Sequence, residues 1–265
     1  MIIIGELLNS TRDVIKKKIA EKDAPFIRDL TKKQLNNGAD YIDLNAGEFS
    51  QDETKYLMWM VETIKSYFNC PLSIDSSSSQ AIMAVLDEFE GQYIINSISA
   101  EKEKFQELIV PLKKYNCQVV ALCMDDRGIP QSAEEKLDIA QKLTEKLTAE
   151  GISQENIFLD PLVQPVSVQP NSALEVLKTI KLIRQWNPKV NIICGLSNIS
   201  YGLPKRRLLN RAFLVMCREQ GLNSVIADPL DKSLMSLLKA SEVLLNNDSM
   251  GMEYITASRN NELEV

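Results

Sequence analysis

The chain has 265 residues and no histidine, and that absence restricts its chemistry more than any motif does. Ser-His-Asp and Cys-His nucleophile systems, His-ligated zinc and imidazole acid–base catalysis are all excluded. Carboxylates, carboxamides, hydroxyls, lysine, tyrosine and thiols remain. Among these, acids and amides recur in one setting: Glu6, Asp43 with Asn45, Asp75, Asn96, Asp125, Asp160, Asn198 and Asp228 each close or follow a short apolar run. Taken singly, Asp and Asn at such places serve turns and helix caps, and that structural reading is preferred for Asp125 and Asp228. As an ordered set they describe a rim of hydrogen-bonding groups. A carboxylate accepts two parallel bonds from a guanidine-like edge, and a carboxamide offers both a donor and an acceptor. Such a rim suits a planar heterocycle rich in N–H donors and ring acceptors, as in a pterin. A carboxylate cluster holding Mg2+ is the open alternative. No lysine falls within an apolar run, which disfavours a Schiff-base aldolase, and no Gly-rich phosphate cradle follows the last runs.

The elements that must position these groups alternate. Strands are expected near 2–5, 40–45, 71–75, 93–97, 117–123, 156–160, 190–196 and 223–228. Helical periodicity falls near 24–37, 52–67, 79–88, 102–115, 133–150, 172–186, 206–220 and 231–245. Ser50-x-x-Glu53, Ser132-x-x-Glu135 and Ser172-x-x-Glu175 fit capping boxes, and Asp23-Ala24-Pro25 places proline in a first turn. Ser76 to Ser79 read as a cap and first turn. Gly38, Gly151 and Gly221 each stand where a helix ends before a strand that finishes on an acid. Trp59, Tyr67, Phe105, Tyr115 and Trp186 fall on helical faces and are expected in the core. Eight βα units with no linker between them predict an α/β fold, a closed (β/α)8 TIM barrel, as one domain over 1–265. An open doubly wound sheet is disfavoured because no G-x-G-x-x-G follows a strand.

Composition narrows the partners. A net charge of −6 argues against nucleic acid, which needs a concentrated basic surface. The longest apolar runs, such as Val119–Met124, are too short for a membrane span of about 20 residues. Cys70, Cys117, Cys123, Cys194 and Cys217 are scattered through apolar segments without a C-x-x-C pair. With no signal-peptide pattern at Met1–Glu6, they point to buried thiols in a reducing cytoplasm.

The ordered motifs resemble those of a known family. Ile3-Ile4-Gly5-Glu6 with Asn9, Asp43-Leu44-Asn45, Ile74-Asp75-Ser76, Ile95-Asn96-Ser97, Asp160-Pro161-Leu162, Gly195-Leu196-Ser197-Asn198, Asn210-Arg211-Ala212-Phe213-Leu214 and Ala227-Asp228 are similar in order and spacing to the methyltetrahydrofolate:corrinoid protein methyltransferases. The likeness extends to about residue 247. It implies a pterin-binding barrel, a homodimer, and 5-methyltetrahydrofolate or tetrahydrofolate as substrate. It also implies a corrinoid supplied in trans by a separate protein, with no metal bound by this chain. It assigns Asp75, Asn96 and Asp160 to the pterin ring and Asn198 to the methyl-bearing nitrogen, with Gly195 and Ser197 lining the pocket. Glu6, Asp43 and Asn45 join the pterin set by their strand-end positions. Arg206 and Arg207, placed after the seventh strand, could meet the anionic glutamate tail. Dihydropteroate synthase is a related alternative, but Asn223 to Asp231 carries no basic residue for a pyrophosphate. A non-catalytic folate-binding subunit is the other alternative.

Overall fold

The computed structural model describes residues 1–264. Eight strands run parallel in the order β7-β6-β5-β4-β3-β2-β1-β8. They are β1 Ile2–Asn9, β2 Tyr41–Asn45, β3 Leu72–Asp75, β4 Tyr93–Ser99, β5 Gln118–Leu122, β6 Ile157–Asp160, β7 Asn191–Ile192 and β8 Ser224–Ala227. Helices alternate with them: α1 Asp13–Ala20, α2 Ala24–Asn36, α3 Glu53–Lys65, α4 Ser79–Glu88, α5 Lys102–Tyr115, α6 Ala133–Ala149, α7 Ser172–Trp186, α8 Arg206–Glu219, α9 Lys232–Leu244 and α10 Met252–Arg259. This is the expected (β/α)8 barrel, nearly closed. Its last seam lies between β7 and β8. There the Asn223 side chain accepts from the Ile192 N–H (2.8 Å) and donates to Asn191 (2.9 Å), and the Ile226 N–H reaches the Cys194 carbonyl at 3.0 Å.

Strand alternation sorts side chains between the helices outside and the barrel interior. Ile4, Ile94, Val120, Phe158 and Ile193 form one buried interior cluster. Two residues further along the same strands stand Glu6, Asn96, Leu122, Asp160 and Gly195, so the next layer up is largely polar. Register aligns Asn45 with Asp75 and Asp75 with Asn96 on neighbouring strands. The outward residues pack on helix stripes such as Ile139, Ala140, Leu143 and Leu147 of α6, all buried. Each such side chain contributes about 1.5–3 kcal/mol on leaving water.

Several local expectations are corrected. Helices α1 and α10 lie outside the predicted set, and β1 runs on to Asn9 while β7 keeps two residues. Ser50 caps nothing: its φ of 47° places it in a kinked 3-10 segment, and α3 starts after Asp52. Ser172 sits inside α7 and accepts from the Gln164 N–H, while Glu175 reaches the Ala133 N–H of α6. Ser132, Ser78 and Asp23 do cap their helices through the first-turn N–H groups. Gly38, Gly151 and Gly221 have φ of 93°, 91° and 105°, as helix-ending glycines require. Tyr67 is 63% exposed, with the Arg28 guanidinium 3.6 Å over its ring, whereas Trp59, Phe105, Tyr115 and Trp186 pack on the core. All five cysteines are free and buried.

Candidate active site

The C-terminal ends of the strands gather the polar layer at one mouth, the usual functional face of this architecture. Asp75, Asn96, Asp160, Glu6, Asn45 and Gly195 stand in it together. Asp43 lies one layer deeper. It is 2% exposed and accepts from Ser73 Oγ at 2.6 Å and Asn96 Nδ2 at 3.4 Å. Burial first, and the neighbouring Asp75 carboxyl second, push it well above the usual carboxylate range. Asp43 is thus a floor residue that fixes Asn96.

Asn45 is engaged at both ends. Its Nδ2 donates to Asp75 Oδ2 at 2.9 Å, and its Oδ1 accepts from Ser10 Oγ at 2.8 Å and from the Gly47 N–H at 3.1 Å. It aims Asp75 and leaves Asp75 Oδ1 without a hydrogen bond among the described residues. Burial raises Asp75, opposed by the Asn45 bond. Asp160 uses Oδ1 to accept the Leu162 N–H at 2.7 Å, and its Oδ2 accepts nothing among the described residues. Burial pushes its carboxyl up to about 6. Free carboxyl oxygens therefore stand on β3 and β6, in an enclosed, poorly solvated setting where each hydrogen bond is strengthened.

Across the mouth, Glu6 receives Arg12 at 2.8 Å and Ser197 Oγ at 3.1 Å, and burial raises its carboxyl against the pull of Arg12. Arg12 was not legible as a site residue, since nothing in the sequence distinguishes it from a solvated charge. The β7–α8 segment turns through a short 3-10 stretch, Leu196–Ser200. Asn198 is exposed there, and its carboxamide makes no side-chain hydrogen bond among the described residues. A Cβ on Gly195 would stand 3.1 Å from Asn198 Nδ2, so glycine makes room for that amide. Arg206 donates to the Ser197 carbonyl (2.7 Å) and Ser200 Oγ (3.1 Å), which fixes the turn. Arg207 is exposed and forms no ion pair among the described residues. Asp125 is paired with Arg127 at 2.8 Å, and Asp228 accepts the Leu230 N–H at 2.9 Å, in keeping with structural roles. Among the described residues no three Asp, Glu or Cys side chains are arranged to hold a metal ion. No helix among them is long and apolar enough to cross a membrane.

Known proteins resemble this chain in sequence and fold. Residues 5–228 match the profile described as pterin binding enzyme. The methylcorrinoid:tetrahydrofolate methyltransferase of Eubacterium limosum is 35% identical over 266 positions, covering 99% of this chain and 98% of that one. Methionine synthase of Mycobacterium tuberculosis is 28% identical over 85% of this chain, which spans 20% of that longer protein. In three dimensions, the Yersinia pestis dihydropteroate synthase superposes with a TM-score of 0.68, over 94% of this chain and 93% of that one, at 15% identity. That likeness carries the fold alone. The profile spans the barrel from the first strand to the last, and the methyltransferase matches from end to end: the chain belongs to the pterin-binding enzyme family.

Proposed function

We infer that this protein is a methyltransferase moving a methyl group between N5 of 5-methyltetrahydrofolate and the cobalt of a corrinoid carried by a separate protein. The observation that carries the reading is the mouth itself. Asp75 and Asp160 each keep a carboxyl oxygen without a hydrogen bond among the described residues, at the same end of the barrel where Asn198 exposes an unengaged carboxamide. The name and full-length match of the Eubacterium limosum methyltransferase support the same substrates.

Each group has a distinct task in this reading. Asp75 and Asp160 accept the N–H donors of the pterin edge, and Asn96, braced by Asp43, adds a carboxamide. Asn45 and Glu6 orient their neighbours, and Gly195 and Ser197 shape the wall beside Asn198. The methyl-bearing nitrogen is a tertiary amine. It leaves poorly unless it gains positive character as the methyl departs. In this reading Asn198 donates a hydrogen bond there, while solvent supplies the proton, because an amide is too weak an acid to do so. That bond strengthens as charge develops and so lowers the barrier rather than merely binding substrate. The corrinoid supplies the cobalt that accepts or delivers the methyl. With no histidine to ligate cobalt from below, this chain is suited to meet it in trans. Arg207 is free to meet the glutamate tail, and Arg206 has Nη1 left for it after fixing the turn. A homodimer and a cytoplasmic setting belong to the same reading.

The test follows the corrinoid spectrum during methyl transfer from 5-methyltetrahydrofolate to free cobalamin held as Co(I) by an added reductant, at high concentration, with and without EDTA. Transfer that EDTA leaves intact is expected. No transfer, or transfer that EDTA abolishes, overturns the reading in favour of a binding subunit or a metal-dependent enzyme.

A further inference from the structure

Behind the mouth lies a charged group that the pterin reading does not use. Lys136 is the fourth residue of α6 and is 2% exposed. Its ammonium makes one hydrogen bond among the described residues, to the Leu162 carbonyl at 3.3 Å. This is an unfavourable place for a lysine. Burial strips its water, and the N-terminal turn of a helix repels positive charge. An apolar residue would fill the same volume without either cost.

The neighbouring backbone shows what Lys136 holds. Leu162 has a φ of 58°, a left-handed conformation that costs a non-glycine residue on the order of 1 kcal/mol or more. It is pinned from both sides. Its N–H binds Asp160 Oδ1 at 2.7 Å, and its carbonyl receives Lys136 Nζ. Lys136 and Asp160 share no direct hydrogen bond among the described residues, and the turn at Leu162 joins them, bonded to one on each side. The other titratable groups around this pair are the buried thiols of Cys123 beyond β5 and Cys194 beyond β7, and Glu175 of α7, whose carboxylate accepts from the start of α6. Lys136 is thus the positive charge set against Asp160. Burial raises the Asp160 carboxyl, the Leu162 N–H bond lowers it, and the Lys136 charge lowers it further, while burial in turn lowers Lys136.

We propose that Lys136 is a positioning residue: it locks the Leu162 turn that fixes Asp160 Oδ1, and it sets a positive charge behind Asp160 that leaves Oδ2 offered to the pterin. This rests on the pterin-binding reading of Asp160. A neutral acid at that position would offer one acceptor fewer and a competing donor. Substrate binding would then depend on a lysine that never touches substrate.

The experiment follows the Asp160 carboxyl by 13C NMR from pH 4 to 9 in the parent, Lys136→Met and Lys136→Gln, alongside calorimetric affinity for 5-methyltetrahydrofolate. Lys136→Gln keeps a donor for the Leu162 carbonyl and removes only the charge. Both variants should titrate Asp160 about one pH unit higher than the parent, the scale of losing one nearby opposite charge. Folate affinity should fall about fivefold at pH 6 in Lys136→Gln and return to the parental value by pH 9. Purely structural loss would weaken binding equally at all pH values and overturn the proposal, as would an unchanged Asp160 midpoint. If neither variant folds, the parent decides: the 15N shift of the Lys136 ammonium must move with the Asp160 titration, and its failure to do so overturns the proposal. A raised midpoint together with undiminished folate affinity in Asp160→Ala upholds Lys136 as the group that fixes Asp160, while removing Asp160 from the pterin site.

Discussion

Asp160 offers one carboxyl oxygen from an enclosed position, 8% exposed, whereas Asn198 holds out an unpaired amide at the edge of solvent. The two are expected to fail differently. Loss of a charge-assisted hydrogen bond worth about 1.5–3 kcal/mol should make Asp160→Ala bind 5-methyltetrahydrofolate roughly 10- to 150-fold more weakly, as read by titration calorimetry. Unchanged affinity would remove Asp160 from the pterin site. Asn198→Ala should instead slow single-turnover methyl transfer by roughly 10²–10³-fold, the scale of one preorganised donor, with a much smaller change in folate affinity. A near-parental rate would take Asn198 out of the mechanism. The acids and amides of this site were legible because strand ends in a barrel share one face, so ordered Asp and Asn residues could be read as a set. Their division of labour was not legible. Whether Asn45 meets a ligand or aims Asp75 depends on Ser10, which reaches it from the far end of β1, and on the local turn that brings back the Gly47 N–H. The depth of Asp43 follows from barrel stagger, and Lys136 was hidden on a helix whose burial no local pattern reveals.

At the level of elements, β1 shows how the frame serves the mouth. Its register against β2 shifts between Gly5 and Leu8, and the Leu7 N–H released there is caught by Gln34 Oε1 of α2 at 3.1 Å. Gln34 is fully buried, and a Cβ at Gly5 would collide with that same oxygen. Bulges of this kind re-aim side chains, and this one carries Glu6. Gly5→Ala should therefore lower stability by about 1–3 kcal/mol in urea unfolding, the usual cost of forcing atoms into a packed site. Combined with Gln34→Ala, the two losses should sum to less than additivity, because both act on one contact. Full additivity would place the strain elsewhere. The sequence indicated β1 only to Gly5, since Glu6 interrupts the apolar run and a bulge breaks alternation. β7 was overestimated for the opposite reason. Val190 to Leu196 is apolar enough for a strand, yet Asn223 takes over the pairing with its side chain, and the chain turns early toward Asn198. Helices α1 and α10 went unseen because each spans eight residues, barely two turns, and gains its order from packing rather than from periodicity.

The whole molecule concentrates carboxyls in one interior while remaining net negative, at −6. Glu6, Asp43, Asp75 and Asp160 are all raised by burial, so ionising the mouth that suits a donor-rich ring works against the fold. Without histidine, nothing in the chain can ligate cobalt in the manner expected of a corrinoid carrier. The purified protein should accordingly be colourless and should need a corrinoid protein for full transfer activity; isolation with stoichiometric corrinoid would contradict this. That cost has a measurable signature at Asp43, which touches Ser73 and Asn96 and sits below the polar layer of the mouth. Its folded carboxyl titrates well above the unfolded value of about 3.9, so the folded state binds the proton more tightly. The stabilisation from that proton is complete below the unfolded value and is lost as pH rises through the folded one. Asp43→Asn mimics the protonated acid in shape and keeps an acceptor for Ser73, yet cannot ionise. Its Tm should exceed that of the parent most at pH 9, and the gap should shrink steadily toward pH 5. A gap independent of pH would mean that Asp43 does not titrate in the folded protein over this range, and a gap that widened toward acid would reverse the sign of its coupling to folding.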